Sequence, residues 1–330
     1  MKENQKNGNV LISVILPIYN ISEYLDKCMN SLLSQTYTNL EFVMVDDGST
    51  DGCKEICDLY LDVDKRIKVF HKENGGLSDA RNYGIICSRG EYITCIDPDD
   101  FVDNDYIEYL FYLIKKYNSK MSICQHRIMY DNGIIKELGS SGDEKIETER
   151  CLERMLYHDV IDTSAWAKLY HRSLFENVKY PKGKIFEDIA TTYALMMKCD
   201  RIAVGYESKY TYIFHNNSIV NSEFKPNKFD LIEMTDKMAN DIIKSFPNLE
   251  RAIIRRQVYA RFSTLNQMLN CYGYDEQRKS IIKFIKKYKL QVLSNKKAPR
   301  RDKAAIILLL LNYQLYRSIW LKYREYLMNK

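Results

Sequence analysis

Two aspartates one residue apart, Asp97 and Asp99, directly follow an apolar run at residues 92–96. Carboxylates so placed can hold a hard divalent cation that keeps its other positions for diphosphate oxygens and water. Such an ion would neutralise charge building on a departing phosphate. Carboxylates also gather in ordinary turns, so the Asp-x-Asp triplet gains weight only from its surroundings. Three earlier apolar runs end in equally polar stretches: Pro17-Ile18-Tyr19-Asn20, Asp46-Asp47-Gly48-Ser49-Thr50-Asp51 and His71-Lys72-Glu73-Asn74-Gly75-Gly76.

The elements that would carry these groups are written as short apolar runs alternating with helical patterns. Strands are expected at residues 10–16, 40–45, 67–70 and 92–96. Between them lie a helix with Ser22 as N-cap and an apolar face of Leu25, Cys28 or Met29, Leu32 and Leu33, a second helix over 53–61, and a third through Ala80, Tyr83 and Cys87. A β-α-β-α-β-α-β order specifies a parallel sheet with crossover helices. In an open sheet of that kind the ligand lies beyond the carboxyl ends of the strands, so the four polar stretches are expected to share one edge. Further on, a helix is expected over 105–117, and residues 121–130 and 134–138 flank an Asn132-Gly133 hairpin signal. A loop at 139–142, a helix over 147–157, an apolar segment at 166–175, a helix opening at Glu187-Asp188 and two strands at 202–204 and 210–214 complete this half. From Lys225 on the pattern is almost wholly helical, and there is no internal repeat.

Ser13-Val14-Ile15-Leu16-Pro17-Ile18-Tyr19-Asn20, Val45-Asp46-Asp47-Gly48-Ser49-Thr50-Asp51, Asn74-Gly75-Gly76-Leu77-Ser78-Asp79-Ala80-Arg81-Asn82-Tyr83-Gly84 and Asp97-Pro98-Asp99-Asp100 stand in this order along the chain. Together they resemble a family 2 glycosyltransferase of the GT-A fold, a large group of inverting sugar transferases, from residue 10 to around 220. The resemblance implies an α/β, GT-A (Rossmann-like), mostly parallel sheet with flanking helices, followed by a helical C-terminal region. Residues 1–104 would be the nucleotide-sugar half, 105–222 the acceptor half, and 223–330 a basic, amphipathic helical region.

It also implies a UDP-sugar donor and Mn2+ or Mg2+. Pro17, Tyr19, Asn20 and one of Asp46 or Asp47 would line the uridine pocket, where a carboxylate accepting the uracil N3 proton favours uracil over cytosine. Asn74, Gly75 and Arg81 belong with the donor, and arginine suits both stacking and phosphate contact. Asp97 would meet the ribose and Asp99 the metal, with Asp97 and His215 as further metal candidates and Asp100 a weaker one for metal or sugar. Glu187-Asp188 resembles the family's acidic pair, with Asp188 as the base that deprotonates the acceptor hydroxyl. Trp166-Ala167-Lys168-Leu169-Tyr170 resembles a motif of bacterial polysaccharide members, which makes Trp166 and Lys168 acceptor-side candidates. Blander readings stay open for several of these residues. Gly75-Gly76 can be a helix-opening loop, Glu187 and Asp188 suit a helix dipole, Trp166 suits a core, and His215 a structural contact.

Composition sets the outer bounds. At 330 residues and 45% hydrophobic the chain can bury a full core, which excludes a disordered protein. Nine scattered cysteines without a CxxC pair indicate neither a disulfide framework nor a zinc site, and are expected to be reduced thiols in a cytosol. Residues 1–9 are polar, without the apolar core of a signal peptide. The run at 304–311 is far shorter than the ~20 residues of a membrane span. Residues 276–330 hold 15 Lys/Arg against 3 Asp/Glu, and Leu308, Leu311, Leu315 and Ile319 recur there at helical spacing. The expected location is cytoplasmic, with this tail either on the anionic inner face of the membrane or simply solvated. The tail lacks a base-reading module, so nucleic acid is not an expected partner.

The expected reaction moves a sugar onto a hydroxyl of a glycan or lipid-linked acceptor, in synthesis of a surface polysaccharide such as a capsule, or of a glycoconjugate. No G-x-G-x-x-G or G-x-x-x-x-G-K-[ST] sequence supports a dehydrogenase or kinase. A sugar nucleotidyltransferase would want a glycine-rich basic loop where Pro17-Ile18-Tyr19-Asn20 stands. A non-catalytic partner subunit would be marked by loss of Asp99 or Asp188, and both are present.

Overall fold

The computed structural model describes residues 10–215 and 223–328, with side chains described to residue 323. The polar stretch 1–9 and the expected boundary at residue 222 lie outside the described residues. The chain forms two compact units. One holds residues 1–151 and 163–221, the other 152–162 and 222–330.

The first unit is built on β1 (Ile12–Ile18), α1 (Ser22–Leu33), β2 (Leu40–Asp46), α2 (Cys53–Val63), β3 (Ile67–His71), α3 (Leu77–Cys87) and β4 (Tyr92–Cys95). Every residue of β1 and β2 is buried, which explains why these strands read as unbroken apolar runs. β1 runs parallel to β2, from Ile12↔Leu40 to Ile18↔Asp46, and parallel to β4 as far as Ile15↔Cys95. Pro17 follows the last β1–β4 pair, so its missing amide falls where that ladder has stopped. α1 buries Leu25, Cys28, Met29 and Leu32, a three-and-four spacing that puts them on one face. Ser22 opens α1 but does not cap it; instead Asp51 accepts from the Ser22 amide at 2.8 Å and from Cys53 N at 3.1 Å. One carboxylate thereby serves the N-termini of both α1 and α2, where the helix dipole favours it. α3 sits close on the sheet because Gly84 has no side chain: a Cβ there would meet Ile15 Cγ2 at 2.6 Å and Val45 Cγ2 at 3.3 Å.

The sheet continues through β5 (Phe101–Val102), α4 (Tyr106–Tyr117), β6 (Met121–Met129), β7 (Ile135–Glu137), β8 (Asp143–Glu147), α5 (Thr148–Tyr157), β9 (Lys168–His171), the short α6 (Thr192–Met196) and β10 (Arg201–Ile213). Strand order is β3-β2-β1-β4-β9-β6-β10-β5, with β7 on β6 and β8 on β10. The first four strands and the β6–β10 pair are parallel, while β9 runs antiparallel to both β4 and β6. Asn132-Gly133 turns the β6–β7 hairpin with Gly133 at φ +81°.

Three expectations are corrected. The two strands foreseen at 202–204 and 210–214 are one strand, β10, whose register with β6 shifts between Val204 and Tyr210. The segment foreseen at 166–175 is strand β9 followed by a 3-10 turn at Arg172–Phe175. No helix opens at Glu187-Asp188: Phe186 has φ +59°, Asp188 closes a turn by accepting from Thr191 N and Thr192 N, and α6 begins only at Thr192.

The second unit is helical: α7 (Asp230–Ser245), α8 (Glu250–Gln267), α9 (Asp275–Leu293), α10 (Arg300–Leu311) and α11 (Tyr313–Met328). Its core gathers Val258, Phe262 and Leu265 of α8, Ile281 and Ile285 of α9, Ile306 and Leu309 of α10, and Tyr316 of α11. α8 is buried nearly all round and carries three buried arginines. Arg255 bonds Asp302 at 2.7 and 2.8 Å and the Leu156 carbonyl at 3.1 Å; Arg261 takes Asp236 in a two-point grip at 2.7 and 2.9 Å. His158 Nδ1 accepts from Arg255 and Arg256, which requires a neutral ring. Burial, reinforced by those two cations, pushes His158 down to about 2. All nine cysteines are free thiols. Among the described residues, no helix is long and apolar enough to cross a membrane.

Candidate active site

Parallel pairing brings the carboxyl ends of β1 to β4 to one edge, and the loops that follow are hydrogen-bonded to one another. Asn20, held at φ +49° just past β1, donates its amide to Ser49 Oγ at 3.2 Å and accepts from Thr50 N at 2.8 Å. Pro17 is buried, while Tyr19 is half exposed beside it. Asp46 ends β2 and Asp47 directly follows it, both buried. Asp46 accepts from Ser49 N at 2.9 Å and pairs with His71 Nδ1 at 2.8 Å. Burial raises Asp46, but the Ser49 and His71 bonds outweigh it and hold this carboxyl below its ordinary value. Asp47 accepts from Gly75 N at 3.0 Å and Gly76 N at 2.7 Å, and is ion-paired to Lys72. Gly48 lets the two loops touch: at φ +76°, a Cβ there would lie 2.9 Å from Asn74 N.

α3 then reaches across to the second half of the unit. Arg81 is buried, bonding Asp97 Oδ1 at 2.6 Å with one amino group and Glu187 with the other, its guanidinium 5.5 Å from the Tyr180 ring. Burial disfavours its charge, yet Asp97 and Glu187 outweigh that and raise Arg81 well above its usual value. Next to it, Asn82 holds the Tyr180 backbone at both amide ends, at 2.8 and 2.9 Å. Two consecutive residues of one helix thus fix the segment that ends in Glu187 and Asp188. Asp188 accepts from Ile189 N at 2.8 Å and from Thr163 Oγ1 at 3.4 Å.

At the end of β4 the three aspartates have different surroundings. Asp97 is turned to Arg81. Asp99 lies 3.5 Å from His215 Nε2, and burial, then the neighbouring Asp97, push its carboxyl up to about 6. Asp100 is fully interior, accepting from Tyr210 Oη at 2.6 Å and Ile213 N at 2.8 Å, and burial with the other two aspartates raises it well above the usual range. Among the described residues no three His, Cys, Asp or Glu side chains are gathered into a ready metal cage. Even so, Asp99 and His215, 3.5 Å apart, are a hard oxygen and an imidazole, and a carboxyl pushed toward protonation by burial and then by a neighbouring carboxylate is one that a cation relieves. These two side chains are of the kinds that ligate a divalent ion, short of a complete protein cage.

Trp166 stacks on Tyr210 at 4.5 Å and on Tyr212 at 5.9 Å. Tyr210 Oη in turn accepts from Asp97 N at 3.3 Å, so Trp166 braces the residue that fixes the aspartate loop. Lys168 is buried on β9, donating to Ser164 Oγ at 2.7 Å. Sequence reasoning gave no role to His71 and Lys72, though it quoted them, and missed Tyr180 and Tyr210. The first two sit in a strand-end stretch that could have flagged them, whereas nothing local marks the two tyrosines.

The family model for glycosyl transferase family 2 matches residues 13–179, and the chain belongs to this family of glycosyltransferases. It is 33% identical over 248 residues to the glycosyltransferase GlyG of Streptococcus pneumoniae serotype 4, covering 71% of this chain and 81% of that protein. It is 29% identical over 213 residues to the minor teichoic acid biosynthesis protein GgaB of Bacillus subtilis, covering 63% of this chain and 23% of that one. The solved structure of S. aureus TarS 1–349 in complex with UDP-GlcNAc superposes with a TM-score of 0.66 over 95% of this chain and 91% of that one, at 20% identity, and has the same fold.

Proposed function

We propose that this glycosyltransferase takes its sugar from a UDP-sugar and, with inversion at the anomeric carbon, delivers it to a hydroxyl of a glycan or lipid-linked acceptor in surface polysaccharide or glycoconjugate synthesis. The observation that carries the reading is Arg81, whose guanidinium bonds Asp97 of the Asp-x-Asp pair and Glu187 of the second acidic pair. The two groups of carboxylates that such a transfer needs therefore meet at one cation. A neighbour of the same fold was solved with UDP-GlcNAc, and the relative GgaB is named for teichoic acid biosynthesis, which supports the donor and acceptor classes.

In this reading Pro17, Tyr19, Asn20 and the Asp46-Asp47 loop hold the uridine, and Asn74 and Gly75 shape the wall beside it. Asp97 meets the ribose. Asp99, with Asp97 and His215, would hold Mn2+ or Mg2+, which when bound neutralises charge on the departing diphosphate. Asp188 takes the proton of the acceptor hydroxyl as its oxygen bonds to the anomeric carbon, and the carbon–oxygen bond to the diphosphate breaks to release UDP. Glu187, gripped by Arg81, and the Ile189 amide fix where Asp188 stands. Trp166 and Lys168, foreseen on the acceptor side, act here from the interior, Trp166 by bracing Tyr210 and Lys168 by holding Ser164. Nine free thiols suit a reducing compartment, and the reaction is assigned to the cytoplasm.

The test is a screen of UDP-glucose, UDP-galactose, UDP-N-acetylglucosamine and UDP-N-acetylgalactosamine for UDP release, with Mn2+ and with EDTA, on wild type and Asp99→Ala. Hydrolysis of one donor that needs metal and Asp99 supports the reading. Silence with all four, together with no UDP binding by calorimetry, would overturn it.

A further inference from the structure

Helices at the surface of a folded unit normally bury one stripe and show water a polar face. α10 and α11 do not. α10 buries Ile306 and Leu309 in the helical core, yet its outward side carries Ile307, Leu310 and Leu311, which are 49%, 37% and 69% exposed. α11 seats Tyr316 inward and exposes Leu315, Ile319 and Tyr323, each above 40%. The corner between them is fixed: Asn312 Oδ1 accepts from Gln314 N at 2.7 Å and Leu315 N at 3.2 Å, capping α11 directly after α10 ends.

Basic residues predominate around this face, although the exposed Asp275 at the start of α9 lies near Tyr313. Arg300 and Arg301 stand exposed at the start of α10, and Lys322 near the end of the described side chains of α11. Between residues 277 and 323 the sequence has a single acidic residue, Asp302. That carboxylate is buried and bonded to Arg255, with only a long 3.8 Å approach to the exposed Arg301. An apolar face among predominantly cationic residues disfavours a second copy of itself and matches a surface that is apolar just beneath a layer of negative charge.

We infer that the outward faces of α10 and α11 are a docking surface for an anionic lipid bilayer, with Ile307, Leu310, Leu311, Leu315 and Ile319 entering the headgroup boundary and Arg300, Arg301 and Lys322 meeting lipid phosphates. Neither helix is long enough to span, so the contact is interfacial. The inference is independent of the donor chemistry, because it uses only the helical unit.

The experiment is co-sedimentation of the full chain with vesicles of phosphatidylcholine alone and of phosphatidylcholine mixed with phosphatidylglycerol. Wild type should sediment with the mixed vesicles and weakly with the neutral ones. The double variant Leu311→Glu, Leu315→Glu should lose about tenfold or more of that partitioning, since it replaces two apolar contacts with charge. The double variant Arg300→Gln, Lys322→Gln should lose binding to the mixed vesicles while keeping the weak neutral binding. Both pairs are exposed, so thermal unfolding should be unchanged and loss of fold is checked separately. Wild type that ignores anionic vesicles, or a glutamate variant that binds them as well as wild type, overturns the inference. So does light scattering that finds wild type dimeric and the glutamate variant monomeric, with no vesicle binding by either, since the occupant would then be a second copy.

Discussion

Arg81 in the sheet unit and Arg255 in the helical unit are both almost wholly buried, and both bond carboxylates. Arg255 is not outnumbered: it meets the single carboxylate of Asp302, which also lies 3.8 Å from Arg301, and adds a carbonyl and the His158 ring. Arg81 is outnumbered. It faces Asp97 and Glu187, with Asp99 and Asp100 close by in sequence, and burial with mutual repulsion drives the last two toward their protonated forms. A buried arginine is therefore not by itself a sign of function. The sign is a local excess of negative charge that the chain does not neutralise, which is what a cationic ligand or a proton transfer would use.

Substitutions on each side can break this contrast. The largest expected effect is at the outnumbered site: Asp188→Asn should lower sugar transfer by roughly 10²- to 10⁴-fold while leaving the UDP affinity measured by calorimetry unchanged. A variant that keeps more than a tenth of the activity would remove Asp188 as base and with it the reason for the excess charge. Next comes the pair of Arg255 and Asp302. Arg255→Ala strands Asp302 and should cost about 3–5 kcal/mol of stability in denaturant unfolding, with UDP affinity of the folded protein unaltered. If UDP affinity falls with it, the contrast between scaffold and site fails.

Gly84→Ala probes packing in the sheet unit without touching charge. Its Cβ has to displace Ile15, and about 1–3 kcal/mol of destabilisation is expected. The smallest effect belongs to His158. Its folded pKa, about 2, lies below the unfolded value near 6.5. Between those values the unfolded chain binds the extra proton, so stability is full above pH 6.5 and declines as pH falls, by about 1 kcal/mol near pH 5.5. His158→Asn should flatten that slope in pH-dependent unfolding.

The first half of the sheet was legible because β1, β2 and β4 are buried on both faces and α1 on one, so each writes its period plainly; α3 was placed correctly, but it buries Ala80, Arg81 and Asn82 and leaves Tyr83 exposed. α1, α2, α3 and the hairpin at Gly133 fall where the pattern indicates. The failures share a cause, in that tertiary partners decide the outcome. β8 has one buried apolar residue, Ile146, and is a strand because β10 pairs with it. β10 looked like two strands because Gly205 to Ser208 interrupts its apolar run, yet β6 holds it together through the shift. At the site, motif and position brought out Asp97, Asp99 and Asp188, but not the division of labour among them. That Asp97 is turned to Arg81, 16 residues away, and that Asp100 is sealed by Tyr210 and Asn82 clamps Tyr180, each across about 100 residues of sequence, are contacts no local pattern encodes.

The place of β9 has one more consequence, which concerns the order in which the molecule can be made. This strand is synthesised long after β4 and long after β6, yet it lies between them, joining Tyr92↔His171 on one side and Met121↔Tyr170 on the other. Until residue 171 has emerged, the nascent chain holds two separate pieces of sheet, each with a bare edge open to mispairing. The closing step draws together contacts of long sequence separation, the slow kind in folding. The β1–β4 piece and the β6–β7 hairpin therefore become parts of one sheet only at this late step, with Asp188 and β10 still to follow, and a shortened chain that stops before β9 would carry Asp97 and Asp99 on an unfinished, adhesive edge.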